Sequence, residues 1–349
     1  METWQRILRN SITSPEELHK HIACDSTALG EVIANFPMRI NPYFLKLIQS
    51  ADDSLGKQAI PSLEEIQDYT CLTDPLGEDS RSPVPNLVHK YPDRALLLVT
   101  NQCAMYCRFC TRKRKVGTDR LHVTEETLQA GYDYLRKTPA IREVLISGGD
   151  PFLLEDEKIR SILSSLRNIP SIEVIRIGTR VPSVLPMRIT ESLVRILRNF
   201  HPLYINTHFN HPAEITEESA RACSLLADAG IPLGCQTVLL KGVNDNPETL
   251  KKLFLLLLKI RVKPYYLFQA DLTQGTDHFR TRTETGIKIM RKLYGHISGM
   301  AIPTFALDGP GGKGKIPLTP RYIKNKGKNL TFENYLGEIC TYPETGDGI

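Results

Sequence analysis

Three cysteines stand within eight residues, in the run Cys103-Ala-Met-Tyr-Cys107-Arg-Phe-Cys110. Thiolates are soft metal ligands, and three of them on one short loop can converge on one centre. A closed structural zinc site takes four ligands, so zinc here would need a distant fourth. A cubane iron–sulfur cluster normally takes four cysteines, and three would leave one iron open to a substrate or cofactor. Buried thiols without metal are the plain alternative. Cys24, Cys71, Cys223, Cys235 and Cys340 are scattered, and eight cysteines in 349 residues are too few for a disulfide scaffold. In a reducing compartment a tight cluster points to a metal. Other candidate groups sit on short polar stretches: SGGD at 147–150, GTR at 178–180, NTHFNH at 206–211, ADLTQG at 270–275 and GPGGKGK at 309–315.

Regular elements must hold these stretches, and the sequence supplies them in a rhythm. After Arg94, apolar β-branched runs at 95–100, 143–147, 173–178, 203–207, 233–240 and 264–269 alternate with amphipathic stretches at 125–137, 157–168, 190–199, 217–229, 248–262 and 284–298. Strand–helix units of roughly 34 residues each argue for a parallel sheet with helices outside it. The cysteine run and the strand-end stretches follow strands, where open α/β sheets and barrels both place their ligand groups. Six units fall short of an eightfold barrel, so the expected class is α/β, a partial (β/α)6 TIM-like barrel spanning 91–299. Residues 1–90 read as an N-terminal helical and wrapping segment. Ser14 caps a helix start, 43–50 has helical spacing, and Pro61, Pro75, Pro83 and Pro85 make 60–91 irregular. Residues 300–349 form a Gly/Pro-rich C-terminal segment, in which the density of GPGGKGKIPLTP is expected to forbid regular structure.

Composition bounds the rest. With 41% hydrophobic and 24% charged residues, the chain is no disordered tail, collagen or coiled coil. A net charge of +5, concentrated nowhere beyond the KRK at 113–115, does not argue for nucleic acid. The longest apolar run, 253–258, is too short for a bilayer, and the charged N-terminus is no signal peptide. A cytoplasmic protein without membrane or nucleic-acid partners is expected.

The C-x-x-x-C-x-x-C spacing after strand one, with an aromatic before the last Cys, resembles the signature of the radical S-adenosylmethionine (SAM) superfamily. That resemblance implies a [4Fe–4S] cluster on Cys103, Cys107 and Cys110 whose open iron is chelated by SAM. Reduction by a donor such as flavodoxin or ferredoxin then yields a 5′-deoxyadenosyl radical. The runs CAMYCRFCTRKRKVG, ISGGDP, RIGTR, LPMRIT, INTHFNHP, GVND, DLTQGTDHFRT and DGPGGKGKIPL, in one order from about Trp4 to Tyr342, resemble the lysine 2,3-aminomutase family. This implies an isomerase that moves the amino group of L-lysine from Cα to Cβ, with pyridoxal 5′-phosphate (PLP) as a further cofactor.

Residue by residue, the resemblance makes Lys315, five positions after Pro310, the catalytic PLP anchor. Lys313 is a neighbour that the spacing passes over. Gly311, Gly312 and Gly314 would let backbone approach the cofactor. Asp271 and Asp308 match the pair that grips the ε-ammonium of lysine; a buried ammonium needs anionic partners, and two acids would reject glutamate while leaving arginine open. Arg112 matches the residue on the substrate carboxylate, a role suited to a guanidinium fork. Arg94 and Gln236 match positions near the PLP phosphate. Ser147, Gly148, Gly149 and Asp150 resemble the loop that receives the SAM amino group, and His208 a residue packed near the adenosyl group.

The sequence departs from longer family members, whose C-terminal cysteines join a Cys after GVND to bind zinc between subunits. Here the segment reads GVND-Asn246 and little follows Cys340, so zinc is not expected and homo-oligomerisation stays open. The length resembles a shorter branch that makes β-lysine for elongation factor P. The Asp308 pattern before the anchor lysine matches the free-lysine enzymes instead and favours that reading; the elongation-factor branch, or an aminomutase of arginine or glutamate, is the alternative.

Overall fold

Successive side chains of a strand point to opposite faces, so alternating residues separate a core face from an inner face. In the strand Glu143–Ser147, Val144 and Ile146 are buried against helices, while Glu143, Leu145 and Ser147 line an internal cavity. The structure, a computed structural model, describes residues 2–23, 25–326 and 329–344; Cys24 lies outside the described residues. Its main sheet runs β1 (Leu87–Tyr91), β2 (Arg94–Leu98), β3 (Glu143–Ser147), β4 (Val174–Gly178), β5 (Leu203–Thr207), β6 (Leu233–Leu239), β7 (Lys263–Gln269), β8 (Thr304–Gly309) and β9 (Gly314–Pro317), hydrogen-bonded in that order. Strands β2 to β8 are parallel, and β1 and β9 are antiparallel edges.

The six expected strands and their helices are present as a partial barrel. The helices Glu125–Lys137, Asp156–Arg167, Glu191–Leu197, Glu217–Asp228, Pro247–Lys259 and Thr283–Leu293 follow them in order. Local chemistry starts the helices. The Thr124 hydroxyl accepts from the Thr127 N–H ahead of Glu125 and Glu126, with Arg136 and Lys137 in the last turn. Asn246, the residue standing after GVND, caps Pro247–Lys259 by accepting from the Thr249 N–H at 2.9 Å. Leu135, Leu163, Leu166, Leu197, Leu226 and Leu257 pack onto the outer faces of the strands, and each such burial stabilises the fold by about 1.5–3 kcal/mol.

Two expectations are corrected. The Gly/Pro stretch does form regular structure: a turn at 310–313 joins β8 to β9, in a register that sets Asp308 opposite Lys315. Gly311 and Gly312 adopt φ of 71° and 77°, the left-handed values a tight turn needs. An edge strand tolerates Pro317 because only one row of its backbone groups must pair. The helix expected over 43–50 stops at Leu45. The Asp53 carboxylate captures the N–H groups of Gln49 and Ser50 at 2.6 and 3.1 Å and bends the chain into a turn. Beyond the barrel, β10 (Ile323–Lys326), β11 (Asn329–Glu333) and β12 (Ile339–Pro343) form a separate antiparallel sheet that the sequence did not foretell.

A second apolar core lies at the N-terminus. Trp4, Leu18, Ile40 and Phe44 pack with Ala104 and Met105 of the cysteine loop and with Val184 and Leu185. Among the described residues no helix is long and apolar enough to cross a membrane.

Candidate active site

The inner faces of the strands enclose a cavity of about 1000 Å³. Every site residue expected from the sequence lines it: Cys103, Cys107, Cys110, Arg94, Arg112, Ser147, Gly148, Gly149, Asp150, His208, Gln236, Asp271, Asp308 and Lys315. Residues from β2, β3, β6, β8 and β9, and from the loops after β2, β3, β5 and β7, thus converge on one space.

The cysteine loop follows β2 and holds little regular structure of its own. The N-terminal segment shapes it. The Asn41 amide donates to the carbonyls of Ala104 and Val184, the Tyr106 N–H donates to Arg39 O at 3.0 Å, and the Arg108 N–H donates to Gln58 O at 2.9 Å. Arg108 and Lys113 then turn inward onto Glu65, at 2.6 and 2.5 Å, all three being buried. Burial pushes the Cys103 thiol well up, and Asp150 and the two other cysteines add to it. Burial likewise lifts Cys110 to about 11, with Cys107 adding to it. Bare, the Cys103 and Cys110 thiols keep their protons, and a bound metal would displace them. Among the described residues no three His, Cys, Asp or Glu side chains meet closely enough to hold a single ion. A cubane asks less convergence, since each thiolate binds a different iron, and the nearby Arg39, Arg112, Lys113 and Arg180 suit its negative charge.

The SGGD loop is locked against the base of the cysteine loop. The Gly149 N–H donates to Thr100 O at 2.6 Å and the Asp150 N–H to Gln102 O at 2.7 Å. A Cβ on Gly148 would lie 2.4 Å from Thr100 O, and one on Gly149 2.3 Å from Gln102 O, so only glycine permits this approach. Asp150 has a task the sequence did not reveal. Its carboxylate accepts from Thr179 Oγ1 at 2.7 Å, from the N–H groups of Arg180 and Val181 at 2.7 and 3.2 Å, and from the Phe152 N–H at 3.1 Å. It therefore ties the SGGD loop to the loop after β4. Burial still holds its carboxyl above the usual range. Burial, reinforced by the charge of Arg180, drives His208 down to about 3; it is neutral, with Nε2 3.0 Å from Asn210 Oδ1 and its ring beside Phe109.

At another part of the cavity, Lys315 Nζ lies 2.9 and 3.1 Å from the two oxygens of Asp308, and 5.0 Å from the Phe268 ring centroid. Lys313 is exposed and lies away from the cavity lining. Lys90 of β1, missed in the sequence, approaches Asp308 to 3.5 Å. Burial and the charge of Asp308 push Asp271 up to about 7, against the pull of Lys315 and Lys90. Arg112 directs Nε and Nη2 at Glu78, at 2.9 and 2.7 Å, and Nη1 toward Ser147 Oγ at 3.4 Å. Arg94 stacks over the Tyr91 ring at 3.9 Å. Glu78 and Lys90 fall in or beside the Pro-rich stretch, where no periodicity marks a partner.

A partial parallel barrel with three cysteines after its first parallel strand and a glycine loop after the next defines the radical SAM class, and residues 97–254 match the radical SAM superfamily. Residues 290–349 match the lysine-2,3-aminomutase family description. The chain is 49% identical over 348 residues to L-lysine 2,3-aminomutase of Clostridium subterminale, covering 98% of this chain and 84% of the relative. It is 50% identical to the L-lysine 2,3-aminomutase of Acetoanaerobium sticklandii over the same shares. It is 44% identical to glutamate 2,3-aminomutase of Clostridioides difficile, covering 94% of this chain and 79% of that one. The chain belongs to the lysine 2,3-aminomutase family, a family of isomerases.

Proposed function

We propose that the protein converts free L-lysine to β-lysine, using a [4Fe–4S] cluster, SAM and PLP. One observation carries the choice of substrate: a single cavity joins the three cysteines to Lys315 and two aspartates, Asp271 and Asp308. The family also contains a glutamate enzyme, so the charge of the pocket has to decide. The carboxylate of a glutamate side chain would face two acids there, whereas a lysine ammonium would find two partners.

When bound, the cluster and SAM supply the radical that abstracts hydrogen, and PLP carries the migrating nitrogen. The chain's own residues supply placement. Cys103, Cys107 and Cys110 hold the cluster, the SGGD backbone receives the SAM amine, and neutral His208 packs by the adenosyl group. Arg94 and Gln236 take the PLP phosphate. Arg112, steadied along one edge by Glu78, presents Nη1 to the substrate carboxylate. Lys315 now neutralises Asp308. With Lys315 serving as the PLP anchor, Asp308 would keep Lys90 at 3.5 Å and could take the ε-ammonium of the substrate together with Asp271. That keeps a buried carboxylate paired in both states, which a dry site requires. An external donor such as flavodoxin or ferredoxin delivers the electron.

The test is turnover by protein reconstituted anaerobically with iron, sulfide and PLP, then given SAM, a reductant and L-lysine, L-arginine or L-glutamate separately. β-Lysine from lysine, with at most traces from the others, is expected. Product from glutamate in preference to lysine would remove the roles given to Asp271 and Asp308.

A further inference from the structure

The guanidinium of Arg180 is buried below the cysteine loop and has no part in the placement described above. Nη1 donates to Cys107 Sγ at 2.8 Å. Nη2 donates to Gln58 Oε1 at 2.6 Å and to Glu214 Oε2 at 3.1 Å. Its aim is fixed from behind. Glu214, fully buried, accepts from Ser183 Oγ at 2.6 Å and from the N–H groups of Asn210 and His211 at 3.0 and 2.9 Å. The Arg180 N–H is itself held by Asp150 at 2.7 Å. Burial works against the Glu214 charge, yet Arg180 and these donors keep its carboxyl below the usual range, so the pair is an ion pair.

Reduction adds negative charge to a thiolate-held cluster. A cationic N–H donor on a ligand sulfur stabilises the reduced form more than the oxidised one, and does so strongly where water is excluded. An anion behind that donor works the other way. We propose that Arg180 is a positioning residue that raises the reduction potential of the cluster through Cys107 Sγ, with Glu214 aiming the guanidinium and tempering its charge. The proposal rests on the reading that Cys103, Cys107 and Cys110 hold a [4Fe–4S] cluster.

The test is a redox titration of the reconstituted holoenzyme without SAM, followed by electron paramagnetic resonance, for the wild type, Arg180→Gln and Glu214→Gln, with iron and sulfide assayed in each. At the wild-type midpoint, Arg180→Gln should show a reduced-to-oxidised ratio about tenfold lower, about 59 mV more negative for one electron. Glu214→Gln should shift the other way. A purely structural role for the pair predicts lowered melting temperatures with unchanged midpoints, and that result overturns the proposal, as do shifts of the same sign in both variants. If Arg180→Gln takes up no cluster, Glu214→Gln decides alone: a less negative midpoint supports the proposal, and an unchanged or more negative one overturns it. A wild type with no reducible cluster signal would instead overturn the cluster reading itself, and the proposal with it.

Discussion

Asp271 and Asp308 share one pocket, and the structure distributes their charge unequally. Asp308 is paired with Lys315 and Lys90, while Asp271, lifted to about 7 by burial and by Asp308 against the pull of Lys315 and Lys90, has no ion pair of its own among the described residues. A cationic substrate needs Asp271 ionised, so binding must release its proton when the pH is below 7. The KM for lysine should therefore rise as pH falls below 7, toward tenfold per unit, and flatten above it. Asp271→Asn should raise KM roughly 10- to 100-fold, the worth of a hydrogen bond to a charged group, and abolish that pH dependence. Steady-state KM measured from pH 6 to 8.5 checks this; a wild-type KM flat across the range contradicts it. The cysteines stood out as a candidate metal cluster by type and spacing, whereas Lys315, Asp271 and Asp308 were singled out only through the family resemblance of the motifs that carry them, and all six line one cavity. Arg180 and Glu78 were not, since their partners Cys107, Glu214 and Arg112 are brought to them by the fold from 34 to 73 positions away.

The barrel elements were legible where local signals agree: Glu125–Lys137 matches its expected span because cap, charge and apolar period concur, and the strands Glu143–Ser147 and Leu203–Thr207 match theirs. The glycine hairpin was illegible because its residues signal a turn, and only the neighbouring β8 makes Gly314–Pro317 a strand. The cysteine loop depends on elements outside the barrel, above all on Glu65, which lies under Arg108 and Lys113. Removing a buried anion from between two cations leaves both unpaired, so Glu65→Gln should cost about 3–5 kcal/mol in urea unfolding. Lys113→Met should change stability by only about 1 kcal/mol. Burial already pulls this amine down to about 8 past the attraction of Glu65, and Arg108 would still neutralise the acid. Equal losses for the two variants would contradict this ordering.

Across the whole molecule, the sheet stays open between its β1 and β9 edges, and side chains bridge the gap. Lys90 reaches Asp308, and the Lys315 N–H donates to Tyr91 Oη at 3.2 Å. The stretch 74–79 moors both functional loops at once. Pro75 O accepts from the Gly311 N–H at 2.8 Å, while Glu78 and Asp79 receive Arg112, Arg114 and Lys115. A Cβ on Gly312 would lie 2.6 Å from Leu76 O, which shows how closely that stretch presses on the glycine turn. The βα rhythm of the barrel was readable because each unit is local. This mooring was not, since it joins the irregular N-terminal stretch to a turn more than two hundred residues later. We infer that this arrangement presents one lysine, Lys315, to PLP inside the cavity that holds the cysteines. Borohydride reduction of the PLP-loaded protein, followed by proteolysis and mass spectrometry, tests it most directly. A single PLP-modified residue, Lys315, is expected; modification at Lys90 or Lys313 with Lys315 unmodified would overturn the assignment.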